Sequence, residues 1–374
     1  MISGLECCVQ GRLARKDSNS LARFTRRLCT EFVDPSTISS LVACRLIGLN
    51  KNPGVRPIGI GEILRRIIGR AVTQHLKQDL INAAGPLQLA AGQDGGCESA
   101  IHAMNEYFGR DDTEGILCAD ASNAFNVLNR KTALINMRYL CPTFSIFLIN
   151  IYRLPAKLFL FNGDFILSQE GTTQGDNAAA PFYSISLYPL MNDLMDCSDF
   201  QLFYADDGAA AGKLSSIRKW WDKLCTRGPG YGYFPNGAKS VLLVKKHYLQ
   251  KALDIFDGTD IHVTTEGVRY LGSPIGTNEF RSSFVSEKVD NWVSMIELLS
   301  AVAVAEPQCA YSCFTYGLSK MWLFIMRTTM GVGHLSAHLE DAINNSFPPA
   351  LLGPNIPNSC TKSLLYQHVM EAWD

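Results

Sequence analysis

Short apolar runs that end in turn residues alternate with longer stretches of helical period, and this alternation divides the chain into candidate elements. Residues 115–119 (Gly-Ile-Leu-Cys-Ala) form an apolar run of the length of a buried strand, closed by Asp120. Residues 201–204 (Gln-Leu-Phe-Tyr) have strand propensity and run into Ala205-Asp206-Asp207, after which Gly208 and three alanines permit a tight reversal. That pattern predicts a hairpin presenting two adjacent carboxylates at its tip. Residues 157–161 and 165–169, joined at Asn162-Gly163-Asp164, read as a second hairpin. Residues 41–49 and 55–60 read as strands around the turn Asn50-Lys51-Asn52-Pro53-Gly54, and Pro57, having no N–H to give a ladder, predicts an edge strand. Residues 241–245 form a further strand, and Tyr270-Leu271-Gly272 after Gly267 a short hairpin.

Helical spacing covers much of the remainder. Residues 21–32 are amphipathic; 62–77 place Ile63, Ile67 and Ala71 on one face and Arg65, Arg66 and Arg70 on the others. Helices are also expected over 97–108, 130–139 with Asn129 as N-cap, 144–151 in the core, 178–195 and 214–225. Residues 88–96 are small and read as flexible. From Phe280 onward the pattern is helical over 285–302, 309–327 and 335–345, and the tail from Phe347 is rich in Pro and Asn.

At 374 residues the chain exceeds one average domain, so two or three subdomains are expected. No apolar run is long enough for a membrane span, and the first residues lack a basic and apolar leader, so an intracellular protein of the cytoplasm or nucleus is expected. The 12 cysteines contain no C-x-x-C; Cys309 with Cys313 and His334 with His338 share helix faces but have no second pair at zinc spacing. Buried cysteines in a reducing compartment are the expectation. Net charge is −1, yet residues 1–80 carry 13 Lys/Arg against 6 Asp/Glu, leaving 21 against 29 for the rest. A basic front and an acidic body suit a protein that grips phosphates with one part and binds cations with the other.

The acids carry the sharpest chemistry. Adjacent carboxylates repel and raise each other's pKa unless a cation sits between them. The order apolar strand, Asp120, three residues, Ala124, Phe125 and, much later, Tyr204-Ala205-Asp206-Asp207 resembles the reverse transcriptases, whose palm carries Asp-x-x-x-Ala-Phe/Tyr and Phe/Tyr-x-Asp-Asp on neighbouring strands. Further motifs extend the resemblance over about residues 41–272. Lys51 in a Gly/Pro loop ahead of Arg56-Pro57-Ile58 is similar to the fingers motif that covers the triphosphate and base. Gln174-Gly175-Asp176, with Pro181, is similar to the motif under the template, although Asn177 and Ala178 stand where Pro and Leu are usual. Asn126 stands where many relatives have an acid. Asn236 to Lys239-Ser240 is similar to the motif whose Lys lies near the leaving phosphates, and Tyr270-Leu271-Gly272 to the primer grip.

The resemblance implies an α+β right-hand polymerase: an N-terminal extension (1–50), fingers (51–111), a palm with an antiparallel sheet packed on helices (112–277, with a fingers insertion near 140–175), and a helical thumb and tail (278–374). It implies two Mg²⁺ ions, with Mn²⁺ as alternative, held by Asp120, Asp206 and Asp207, and RNA template, DNA primer and dNTP as partners. Phe125 would fill the space of a ribose 2′-hydroxyl, favouring deoxynucleotides, while Lys51, Arg56, Gln174, Gly175 and Lys239 would contact substrate. The motifs suggest a retrotransposon-type element. One rival keeps the fold without the chemistry: a degenerate or co-opted nucleic-acid-binding protein. Another is an RNA-copying RNA polymerase or a cyclic-dinucleotide synthase, against which Phe125 and Arg-Pro-Ile speak. Oligomeric state stays open, and no endonuclease, ribonuclease H or integrase motif is visible.

Overall fold

The computed structural model describes residues 12–50 and 54–353. The chain divides into two compact units: Met1–Ala100 with Glu106–Val263, and Ile101–Asn105 with Thr264–Asp374.

The first unit carries two sheets. Its five-stranded sheet has the order β6 (Phe200–Tyr204), β7 (Asp207–Gly212), β3 (Gly115–Ala121), β8 (Pro235–Val244), β9 (His262–Thr264). β3 pairs antiparallel with both β7 and β8. This central place explains its uninterrupted apolar run, since a strand covered on both faces has no polar side to alternate with. β7 consists of Gly and Ala after its first residue, and a Cβ on Gly208 would stand 2.6 Å from the Phe203 ring. The small residues therefore let Phe203 fold down against Trp220 and Tyr233, all three buried in the same core. Behind the sheet, the helix Leu214–Arg227 buries Trp220, whose indole N–H donates to Gln201 Oε1 at 2.6 Å, so the buried amide is satisfied.

The four-stranded sheet has the order β2 (Val55–Gly61), β1 (Cys44–Asn50), β4 (Ala156–Phe159), β5 (Phe165–Ser168). β2 occupies the edge that Pro57 demands, and β4 and β5 form the expected hairpin. The helix Arg130–Leu140 starts at Asn129, whose Oδ1 accepts from the Thr132 N–H at 3.0 Å.

Three local expectations fail, two because a tertiary partner intervenes and one because of a proline. The helix Ile63–His75 buries Arg65, Ile68, Gly69 and Val72, while Ile63 is 71% and Ile67 37% exposed. Apolar spacing alone pointed to the wrong face, because a carboxylate from a distant loop draws Arg65 inward. The stretch 178–195 is two helices, Ala179–Ser186 and Tyr188–Leu194, with Pro189 in the first turn of the second. Its ring and missing N–H prevent one continuous helix. Residues 88–96 begin with a fully buried Gln88 beside β6, since Phe203 N–H donates to Leu87 O at 2.8 Å and Leu89 N–H to Phe203 O at 2.9 Å.

The second unit opens with the hairpin β10 (Gly267–Tyr270) and β11 (Ser273–Gly276), turned at Leu271 and Gly272 with φ of 46° and 93°. Two successive positive φ values are the mark of the tight turn whose twist suits a hairpin. The helix Asn278–Ala305 follows, N-capped by Thr277, whose Oγ1 accepts from Phe280 N–H at 3.2 Å. It packs Val289, Trp292 and Ile296 in one core with Phe314, Trp322 and Phe347. Among the described residues the cysteines are free thiols, and Cys225, Cys309 and Cys313 are exposed, contrary to the expectation of burial. Among the described residues, too, no helix is long and apolar enough to cross a membrane.

Candidate active site

Asp206 and Asp207 stand at the turn between β6 and β7. Tyr204 pairs with Asp207, which leaves Ala205-Asp206 as a two-residue loop. Ala205 has φ 54°, a left-handed conformation that a non-glycine residue keeps only when its surroundings impose it. From outside the hairpin, the Tyr233 hydroxyl donates to the Asp206 carbonyl at 2.8 Å. On the neighbouring strand the ladder pairs Ala119 with Gly208, and Asp120 follows one step beyond. Asp120 and Asp207 are thus the next positions along the two strands past the last ladder pair.

β8 contributes through an irregularity. Its register jumps from Cys118↔Val241 to Asp120↔Asn236, so Gly237, Ala238 and Lys239 bulge out of the ladder. Ser240 closes the gap, its fully buried hydroxyl accepting from the Asp120 N–H at 3.1 Å and donating to the Asn236 carbonyl at 2.7 Å. A bulge of this kind re-aims side chains at a strand end. Here it brings Lys239 to the cavity that the acids line.

That cavity, of about 620 Å³, is lined by Asp120, Asp206, Asp207, Arg56, Phe125, Gln174, Gly175 and Lys239 together. Lys51 lies outside the described residues. Tyr270, Leu271 and Gly272 belong to the β10–β11 hairpin of the second unit. Phe125 follows a turn begun by Asn123 at φ 50°, and its ring stacks on Tyr183 with centroids 4.4 Å apart. Its carbonyl accepts from the Thr172 N–H at 2.6 Å. The approach of that loop needs Gly171, where a Cβ would meet Asn126 O at 2.3 Å and Phe125 O at 2.5 Å.

The Gln174-Gly175 loop is held at several points. Gly59 N–H of β2 donates to Gln174 O at 3.1 Å. Asp176 accepts from Arg65 at 2.6 Å and from the Tyr152 hydroxyl at 2.5 Å. Asn177, in place of the usual proline, donates to Arg66 O at 2.8 Å. Side-chain bonds thus supply the hold that a proline ring would have given. Asp176 and Ser240 were legible only as motif positions, and Arg65, Tyr152, Gln88 and Tyr233 were not legible as site residues, because each acts through a partner distant along the chain.

Burial is the main reason the Asp207 carboxyl is pushed up to about 6, with repulsion from Asp206 and then Asp120 adding to it. Asp207 as a residue is exposed, and it reaches the wall of the cavity. Three oxygen-donor acids lining one cavity suit a hard dication, and their chemistry fits Mg²⁺ or Mn²⁺. Among the described residues, however, no group of three or more His, Cys, Asp or Glu is gathered as a ready-made metal nest. An ion would have to draw the carboxylates together.

No family model matches the chain, and no curated protein matches it. Solved structures do. The apo telomerase from Candida tropicalis aligns with TM-score 0.50 and 12% identity, covering 94% of this chain and 72% of that one. The telomerase from Candida albicans in complex with a TWJ fragment of telomeric RNA gives TM-score 0.49 and 12% identity, covering 97% and 71%. A C-terminally truncated C. tropicalis telomerase gives 0.45 and 12%, covering 55% of this chain and 51% of that one. The first of these shows the fold, an α+β right-hand polymerase architecture of reverse-transcriptase type.

Proposed function

We propose that this chain is an RNA-directed DNA polymerase of a retrotransposon-type element, extending a DNA primer on an RNA template with dNTPs. One observation carries the reading: a single cavity gathers the carboxylates of Asp120, Asp206 and Asp207, the cationic side chains of Arg56 and Lys239 and the Phe125 ring from four separate segments of the sequence. Residues 51–111 act as fingers, 112–277 as palm with an insertion near 140–175, and 278–374 as thumb and tail, after an N-terminal extension over 1–50.

Asp120, Asp206 and Asp207 are the residues that would hold two Mg²⁺ ions, or Mn²⁺, which when bound supply activation of the primer 3′-hydroxyl and neutralisation of the triphosphate. Arg56 and Lys239 give the triphosphate fixed positive charge from two sides of the cavity, and Lys51 adds a third cation by its motif. Phe125, braced by Tyr183, occupies the space a 2′-hydroxyl would need and so selects deoxynucleotides by collision. Gln174 can both donate and accept at the nascent pair, and Gly175 lets backbone approach it. Tyr270, Leu271 and Gly272 grip the primer end. Template and primer are held through phosphates, so binding is sequence-blind and falls with salt. The work takes place inside the cell, in cytoplasm or nucleus.

A nucleic-acid-binding protein without polymerase activity is the second reading, favoured by the absence of a preformed donor nest among the described residues. Primer extension on an RNA template with Mg²⁺ or Mn²⁺, wild type beside Asp206→Asn, separates the two. Templated DNA synthesis lost in the variant supports the polymerase; binding of primer–template with no extension selects the second reading. Equal use of ribonucleotides would instead indicate an RNA polymerase.

A further inference from the structure

The loop that carries Asp206 turns at Ala205, in the left-handed region where a Cβ crowds the backbone. Gln88 imposes this turn from outside the hairpin. Its side chain is fully buried, Oε1 accepts from the Ala205 N–H at 2.8 Å and the Ala90 N–H at 3.1 Å, and Nε2 donates to the Ala205 carbonyl at 3.1 Å. A primary amide offers a donor and an acceptor side by side, which is what both faces of one residue's backbone require. The amide cannot drift along the hairpin, because Leu87 and Leu89 are themselves bonded to Phe203 of β6. With the Tyr233 hydroxyl on the Asp206 carbonyl, three successive peptide units of the tip are held by groups that belong to neither strand.

We infer that Gln88 is a positioning residue for the acidic tip: by holding Ala205 left-handed it sets the direction in which Asp206 and Asp207 enter the cavity. It reaches neither substrate nor ion. The inference rests on the polymerase reading of that cavity, and its signature is a rescue. Glycine adopts positive φ without crowding, so a chain deprived of the Gln88 clamp should recover when Ala205 becomes glycine. A residue that merely filled the core would show no such recovery.

The test compares wild type with Gln88→Met, which keeps length and loses both hydrogen-bonding ends, and with the double variant Gln88→Met/Ala205→Gly. Gln88→Glu, which keeps the shape but loses the donor, serves as a second variant should Gln88→Met not fold. Two quantities are read: primer extension, and the rise in melting temperature on adding Mn²⁺ alone. Gln88→Met should lose roughly ten- to hundredfold in kcat, as expected for displaced reacting groups, with little change in the KM for dNTP and a smaller Mn²⁺ shift. Ala205→Gly in that background should restore most of both. Wild-type kcat and Mn²⁺ shift in Gln88→Met, or a loss that Ala205→Gly leaves unrepaired, overturns the positioning role. A wild-type protein with neither extension nor a Mn²⁺ shift overturns the polymerase reading and the positioning role with it, a pattern distinct from the other two.

Discussion

The Arg65 guanidinium holds the Asp176 carboxylate at 2.6 Å with both side chains almost wholly out of water. Arg65 sits on the helix that follows β2, and Asp176 follows Gln174-Gly175, so one ion pair ties that helix to a loop that lines the cavity. Arg65 also donates to Val42 O at 2.9 Å, and Tyr152 adds its hydroxyl to the same carboxylate oxygen. Breaking such a pair from one side leaves an uncompensated charge indoors. Asp176→Ala should therefore lower unfolding free energy by about 3–5 kcal/mol, read as a fall in the urea midpoint. Double replacement by Arg65→Met/Asp176→Leu should cost much less than the single change, because no charge is stranded.

Ser240 offers a second test of how the site is built. With its hydroxyl gone, the Asp120 N–H and the Asn236 carbonyl lose their partner inside the sheet. Ser240→Ala should cost about 1–3 kcal/mol in denaturant unfolding. The bulge it staples carries Lys239, so the KM for dNTP should rise more than kcat falls. An unchanged KM with full destabilisation would separate the bulge from nucleotide binding.

Asp207 predicts a pH dependence of known sign. The unfolded chain releases this proton near 3.8, the folded chain only at about 6. Between those values the folded state binds more protons, so metal-free stability contributed by this group falls as pH rises through the window and is level above it. Asp207→Asn should remove that slope when urea midpoints are compared from pH 4 to pH 7 in a chelator. Stabilisation by Mn²⁺ at pH 7 should also be weaker in the variant, since a carboxylate ligand is gone.

Phe125 stacks on Tyr183 with an interplanar angle of 19°, which leaves its ring little freedom to swing aside. Phe125→Ala should admit ribonucleotides, shrinking the dNTP over rNTP preference in single-nucleotide extension by at least about tenfold, the order of one lost steric contact. Phe125→Tyr keeps the bulk and should keep the preference. Unchanged sugar discrimination in Phe125→Ala would remove this residue from the specificity role.

Much of the fold was legible because its signals act over a few residues. Alternation and turn chemistry marked the hairpin at 204–207, the hairpin Ala156–Ser168 and the edge position of Pro57, and a single Asn marked the start of the helix at Arg130. The break at Pro189 was also local and was missed, because the flanking apolar spacing read straight through it.

The amino-acid sequence alone determined the order of strands and turns and the types of residue that could bear the chemistry, since strand period, capping and turn geometry depend on near neighbours. Only the tertiary structure decided which arginine turns inward and which glutamine clamps the acidic tip. Arg65 meets its carboxylate across 111 residues and Gln88 its alanine across 117. The free energy of burying a charge or an amide depends on the partner it finds there, and no local pattern encodes where that partner lies.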